Sequence, residues 1–412
     1  MKPSEIRALL PVGRPRPPYG VRRLGRCYSI DDLASVARRR TPDGALAYLD
    51  GGGEDEFSLR RNRRAFDEHE LVPHVLRDVS HVDTAATVLG ERLPLPMILA
   101  PVGAPRLLHH EGELAAARAA AAAGVPLAVS TLSSVSIERV AQESAGPLWF
   151  ALYLWGDRGV AKELIARAQA AGYRALLVTA DVTVRSKRER ELRAGLTLPT
   201  PSLSPRTLLE GALHPYWWWH FLTADAPGFP NLPGGRTAIA KGTQALADLF
   251  DGTLSWADLA WIRDAWDGPL ILKGVLSADD ARRAADAGVD AVVVSNHGGR
   301  QLDHVPATID VLPGIADAVG DRLEILFDSG IRRGTDIALA LALGARAVLV
   351  GRAYLYGLAA AGEPGVAHAI DILADELRTA MGLTGAATIG DLDRDAVVQR
   401  HAIRALSVAP TT

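Results

Sequence analysis

The rhythm of hydrophobic and polar positions changes at residue 97. Before it, residues 29–69 carry apolar positions at helical spacing. Ser29-Ile30-Asp31-Asp32 has the make-up of a helix start, a capping hydroxyl followed by acidic residues. Gly51-Gly52-Gly53-Glu54-Asp55 interrupts that pattern. From Met97 onward, short apolar runs alternate with longer, Ala-rich stretches. The runs Met97–Pro101, Val125–Ser130, Leu148–Leu152, Ala175–Thr179, Leu270–Lys273, Ala291–Ser295, Glu324–Asp328 and Ala347–Gly351 predict buried strands. Stretches such as Glu113–Ala123, Val160–Ala171, Ala278–Ala287 and Thr335–Leu343 predict helices between them. About eight β-α units in succession is the count of an α/β protein of the (β/α)8 TIM-barrel type.

On this pattern the chain divides into an irregular, Pro- and Arg-rich arm over 1–28, a helical lid segment over 29–96, a barrel over 97–380 and a tail over 381–412. One gap breaks the alternation. Residues 182–268 separate the fourth and fifth expected strands, too long a span for an ordinary loop, and predict a mobile insert that serves as a lid.

Composition adds exclusions. A length of 412 residues with 48% hydrophobic and 23% charged residues suits a large soluble core. A net charge of −3 supplies no basic field for nucleic acid. The single cysteine, Cys27, fits a reducing compartment, so a cytoplasmic protein is expected. No apolar run resembles an export signal or approaches the ~20 residues of a membrane span.

In a parallel barrel the C-terminal strand ends converge on one face, where chemistry sits. The sixth expected strand runs into Ser295-Asn296-His297-Gly298-Gly299-Arg300-Gln301-Leu302-Asp303. Histidine exchanges a proton near neutral pH, and arginine grips a carboxylate with two parallel hydrogen bonds. A base and a carboxylate clamp three residues apart point to proton removal from a small acid. Taken alone, His297 also reads as a loop histidine satisfied by its neighbours, so the rest of the site decides. The other strand ends supply it: Ala100-Pro101-Val102-Gly103 with a free backbone N–H, then Tyr153, Thr179, Asp181 and Lys273. Asp328-Ser329-Gly330-Ile331-Arg332-Arg333-Gly334 and Gly351-Arg352 occupy the last two loops, the usual phosphate site of such barrels. A lysine ending a buried strand keeps its charge only when it faces an anion. No metal-ligand set is expected.

These motifs resemble those of the FMN-dependent 2-hydroxy acid dehydrogenases and oxidases over about residues 28–390, nearest to the bacterial flavin L-lactate dehydrogenases. The resemblance implies bound FMN and oxidation of an L-2-hydroxy acid, lactate-like or bulkier, to the 2-oxo acid. It makes His297 the base, pairs it with Asp181, and sets Tyr153 at the substrate hydroxyl. Arg300, Arg188 and Tyr48, the last in Ala47-Tyr48-Leu49-Asp50-Gly51, hold the carboxylate. Without the resemblance, Tyr48 reads as a core aromatic on a helix. By the same resemblance Lys273 lies beside the flavin N1–C2=O edge, and Asp328, Gly330, Arg332, Gly351 and Arg352 hold the ribityl chain and phosphate. Pro101, Val102 and Gly103 face the ring, and Ser130, Ala151, Thr179 and Ser295 complete the cofactor contacts. Expected partners are a 2-hydroxy acid and an electron acceptor that is oxygen, a quinone or a redox protein. Assembly as a homotetramer and a place in the cytoplasm or at the inner membrane face also follow from the resemblance.

There are departures. Val102 stands where many members have Thr, Leu132 where several have Trp, Ala151 where many have Gln, and Thr183 where Pro is frequent. Loss of the Trp at 132 opens volume for a larger acid, and Ala151 removes one flavin hydrogen bond worth about 1 kcal/mol. A same-fold flavoenzyme oxidising an amine or a modified peptide is the alternative. Trp217-Trp218-Trp219 reads as packing against the barrel rather than touching lipid. The charge run Arg185–Arg193 reads, Arg188 apart, as a solvated helical face.

Overall fold

Every apolar run expected as a strand is one, and each lies parallel to its neighbours. The computed structural model describes residues 19–154, 157–195, 213–224, 228–232 and 252–400. Three short strands come first: β1 (His69–Leu71), β2 (Ala86–Val88) and β3 (Glu91–Leu93). Then follow β4 (Met97–Leu99), β5 (Leu127–Ser130), β6 (Leu148–Leu152), β7 (Ala175–Thr179), β8 (Leu270–Val275), β9 (Ala291–Val294), β10 (Glu324–Phe327) and β11 (Ala347–Val350). These eight close into a parallel barrel in the order β10-β11-β4-β5-β6-β7-β8-β9. Helices pack around it, and the strands are therefore buried on both faces. That is why they read as unbroken apolar runs rather than as alternating ones.

The barrel interior is filled by Ile98, Trp149, Leu177, Ile271, Val293 and Leu326, among others. The β2–β3 hairpin stoppers the N-terminal end, adding Ala86, Val88 and Leu93 to that cluster. It is pinned by Glu324, whose Oε2 accepts from the Leu89 N–H at 2.9 Å. Function is thereby left to the opposite face, where the C-terminal strand ends open.

The N-terminal segment is fastened onto that open face. Ser29 caps the helix Ile30–Arg38, accepting from the Asp32 N–H, and the chain breaks at Gly51 after the helix Asp43–Asp50, both as expected. Asp303, just after the His297 loop, accepts from the Phe57 and Ser58 N–H groups at 3.0 and 2.7 Å and so caps the helix Phe57–Arg64. The Asn62 and Asn296 side chains exchange hydrogen bonds at 2.8 and 2.7 Å. Tyr48 rides on the helix Asp43–Asp50 and is thereby held over the mouth.

Two expectations are corrected. The arm expected to be irregular contains a helix, Tyr19–Leu24, whose Gly20 packs so closely on Ala360 that a Cβ there would strike its carbonyl. The tail is also structured. The helix Glu363–Thr384 runs past residue 381, and β12 (Val397–Gln399) pairs antiparallel with β1. The insert after β7 contains the helices Glu189–Arg193, Pro215–Thr223 and Asp258–Ala265, while 196–212, 225–227 and 233–251 lie outside the described residues. Trp217 donates from Nε1 to the Leu107 carbonyl at 2.9 Å, in keeping with packing on the barrel. The side chain of Trp219 lies outside the described residues. Among the described residues no helix is long and apolar enough to cross a membrane.

A register shift between β8 and β9 at Lys273/Val275 centres on Gly274, whose φ is +108°. A Cβ there would lie 2.7 Å from the Asp181 Cβ. Gly274→Ala should therefore destabilise the protein by about 2–4 kcal/mol, combining backbone strain with overpacking. Urea unfolding of both proteins reads this directly, and a loss under about 1 kcal/mol would show that the bulge tolerates a side chain.

Candidate active site

A cavity partly open to solvent occupies the C-terminal mouth of the barrel. Its wall carries six cationic side chains, Arg185, Arg188, Lys273, Arg300, Arg332 and Arg352, against two acidic ones, Glu191 and Asp328. Such an excess in a poorly solvated space calls for anionic ligands. Apolar side chains, including Leu49, Val102, Leu132, Ile331, Leu349 and Leu355, line the rest.

His297 stands at the centre. Its backbone is left-handed, with φ 57°, a conformation uncommon outside glycine and characteristic of residues aimed by their surroundings. Its N–H donates to the Ser295 Oγ at 3.1 Å, and the Lys273 Nζ donates to the same oxygen at 2.8 Å. The ring Nδ1 lies 3.0 Å from the Asp181 Oδ1. Burial pushes the His297 imidazolium below the usual histidine range and Lys273 adds to the effect, while Asp181 opposes it. Burial alone would raise the Asp181 carboxyl, but His297 and Lys273 together hold it below the usual carboxylate range. Histidine is thus neutral and aspartate ionised near pH 7. Asp181 Oδ2, although buried, has no hydrogen-bond partner among the described residues.

Lys273 is 4% exposed. Burial would strip its charge, yet Asp328, 3.1 Å away, and Asp181 raise its pKa above the usual lysine value. Asp328 is also tied to Ser329, whose Oγ accepts from the Gly298 N–H at 3.0 Å, so the loops after β9 and β10 are locked together. Gly330, at φ +97°, lies against the Asn62 carbonyl, which a Cβ would meet at 2.6 Å.

At the far end lie Gly330, Arg332, Gly351 and Arg352. Gly351 caps the N-terminus of the helix Arg352–Ala361, whose N–H groups and dipole attract an anion. Arg352 spends hydrogen bonds on three carbonyls, Leu49, Gly298 and Gly51, at 2.8, 2.8 and 2.7 Å. Burial, with repulsion from Arg300 and Arg332, pushes its pKa down to about 9. That is the signature of a guanidinium cluster short of negative charge. The donor set fits a flavin mononucleotide: glycine backbone, helix terminus and arginines for a phosphate, apolar walls for a ring, and a charged lysine at the ring's edge.

At the other end Tyr48 donates its hydroxyl to the Gly103 carbonyl at 2.7 Å, and its ring lies under the Arg300 guanidinium, 4.8 Å from the centroid. Arg300 donates from Nη1 to the Tyr48 and Gly51 carbonyls and from Nη2 to Glu191 at 2.9 Å. Arg188 donates to Ser186, to the Arg300 carbonyl and to Gln301. The Tyr153 hydroxyl, pushed up to about 12 by burial and by Asp181, stays protonated.

Of the residues expected at the site, Tyr48, Pro101, Val102, Gly103, Leu132, Tyr153, Arg188, Lys273, His297, Arg300, Asp328, Gly330, Arg332, Gly351 and Arg352 all line this one cavity. Asp181 stands behind His297. Ser130, Ala151, Thr179 and Ser295 are buried at strand ends behind the wall. There Ser130 Oγ accepts from the Leu132 N–H, and Ala151 faces the barrel interior. Several wall residues were not among those expected, and the one with a charged contact to the arginines is an acid. Glu191, 6% exposed, sits inside the charge run expected to be a solvated face. Its position three residues beyond Arg188, on the same helical side, was the available signal.

The chain is similar to known proteins over most of its length. A model of the family described as FMN-dependent dehydrogenase matches residues 37–399. An L-lactate dehydrogenase of Caulobacter vibrioides is 45% identical over 379 residues, 90% of this chain and 98% of that protein. Among solved structures, the monotopic membrane protein (S)-mandelate dehydrogenase aligns with a TM-score of 0.88 at 38% identity, over 91% of this chain and 100% of the other. A mandelate oxidase structure with (S)-4-hydroxymandelic acid aligns at 0.78 and 41% identity, over 89% and 98%. Over most of its length, the chain belongs to the FMN-dependent dehydrogenase family.

Proposed function

We propose that this protein oxidises an L-2-hydroxy acid to the 2-oxo acid, with His297 as the base. The observation that carries the reading is the His297–Asp181 pair, set at 3.0 Å in the same cavity as the two guanidiniums of Arg188 and Arg300. Bound FMN supplies the two-electron acceptor. The substrate carboxylate docks on Arg188 and Arg300. Because Nδ1 donates its proton to Asp181, the Nε2 lone pair is the basic atom, and it takes up a proton released in the oxidation. Ionised Asp181 then stabilises the imidazolium. Tyr153, held protonated, donates to the substrate oxygen. Lys273 keeps a positive charge where negative charge gathers. Two arginines at the mouth favour a substrate with a free carboxylate over an amine or a modified peptide.

The proposal extends to setting. We place the protein in the cytoplasm or against the inner face of a membrane, as a homotetramer that passes electrons to oxygen, a quinone or a redox protein. The monotopic character of the mandelate dehydrogenase relative supports the membrane-face option.

The pH dependence follows from the signs above. His297 must be neutral to act, and its pKa lies below 6.5, so the rate of flavin reduction should stay level through neutral pH. The rate should fall only below that value. Asp181 raises the pKa of His297, so Asp181→Asn should move the acid limb to still lower pH while slowing the reaction by about 10²-fold or more. Stopped-flow reduction between pH 4.5 and 8 measures both. An acid limb above 6.5 in the unaltered protein would contradict the assignment.

Val102 and Leu132 both line the cavity, and Leu132 lies close to Gly103, so small side chains here leave room for a bulky acid. Leu132→Trp should favour lactate over mandelate or a long-chain 2-hydroxy acid by about 5- to 150-fold in relative kcat/KM, since overpacking costs roughly 1–3 kcal/mol. Steady-state kinetics on the three acids test the function and this residue together. No turnover of any of them by the unaltered protein would overturn the proposed reaction, and an unchanged preference order would remove Leu132 from the pocket.

A further inference from the structure

Of the two acidic side chains in the cavity wall, Asp328 is neutralised by Lys273, but Glu191 stands at the substrate end between two arginines. Its side chain is 8% exposed, its Oε1 is 2.9 Å from the Arg300 Nη2, and the same oxygen is 3.9 Å from the Arg188 Nη1. A guanidinium has five N–H donors. Arg300 commits two from Nη1 to the Tyr48 and Gly51 carbonyls and one from Nη2 to Glu191. The remaining pair, on Nε and Nη2, can receive one carboxylate in the bidentate manner.

Charge arithmetic adds to this. Arg185, exposed on the same wall, is screened by water, and within the more buried clamp Arg188 and Arg300 bring two positive charges and Glu191 one negative charge, so the clamp carries a single net positive charge. One carboxylate cancels it. A second carboxylate on the ligand would find no second unneutralised charge within the clamp, only the water-screened Arg185 on the exposed wall, and would face the buried Glu191, where uncompensated charge is costly. We propose that Glu191 is a specificity-determining residue, which tunes the arginine clamp to monocarboxylates by cancelling one of its two charges. The inference rests on the proposed function, in that Arg188 and Arg300 are taken as the carboxylate clamp.

The test uses two ligands of nearly the same shape, oxamate with one negative charge and oxalate with two. Their dissociation constants are measured by titration calorimetry on the FMN-loaded protein at pH 7.5. Glu191→Gln and Glu191→Ala, both neutral, should each shift the ratio of affinities toward oxalate by about 10-fold or more, the size expected for removing one charge a few ångströms away. Glu191→Asp keeps the charge and should hold the ratio within about 3-fold of the unaltered protein. A merely structural role would weaken both ligands together and leave the ratio alone. An unchanged ratio in whichever neutral variant folds would overturn the proposal. Failure of the unaltered protein to oxidise any 2-hydroxy acid would count against the proposed function instead, since the binding ratio judges Glu191 without turnover.

Discussion

A closed ring of eight parallel strands has no edge, and its strand ends can only gather at two faces. One face is stoppered by the β2–β3 hairpin, with Val88 and Leu93 inserted into the interior. The other must hold every loop that follows a strand. Groups far apart in sequence, such as Asp181 and His297, are brought within hydrogen-bond reach because β7 and β9 flank β8 in the ring. The bulge at Gly274 then clears the space that Asp181 needs. Site geometry here is a consequence of barrel closure rather than of local folding.

Closure also concentrates charge. Lys273, Arg188, Arg300, Arg332 and Arg352 share one cavity and have few acidic partners. Burying them costs stability unless anions arrive, and the depressed pKa of Arg352, about 9, registers that cost. A cofactor phosphate and a substrate carboxylate are anions of the right kind, at opposite ends of the cavity. Burial, aided by Lys273, keeps His297 neutral, and His297 with Lys273 keeps Asp181 ionised, the two states in which a base and its supporting carboxylate act. Binding and proton transfer therefore both rest on charge held in a buried site.

Much of this was legible in the sequence, for physical reasons that also explain the failures. Strands buried on both faces appear as apolar runs, so β6 and β7 have the bounds expected of them. Polar residues at the end of such runs or just beyond them face the mouth, which makes His297, Arg300, Lys273 and Asp328 legible as site residues. Burial of Ser130, Ala151, Thr179 and Ser295 behind the wall depends on which way the last residue of a strand points, and that direction alternates with each residue. Glu191 was hidden because a mixed charge run looks solvated until helical spacing singles out one buried side. The strand β12 could not be read locally, since its partner β1 lies more than three hundred residues earlier in the chain. The helix Tyr19–Leu24 forms against Ala360, again a distant contact.

The most direct test of this chemistry is anaerobic mixing of the FMN-loaded protein with an L-2-hydroxy acid, following the loss of flavin absorbance. The unaltered protein should bleach in a single turnover. His297→Ala should retain its flavin and bleach about 10²–10⁴-fold more slowly, the usual worth of a positioned general base. Reduction of His297→Ala at a near-normal rate, or no bleaching of the unaltered protein by any 2-hydroxy acid, would contradict the central claim.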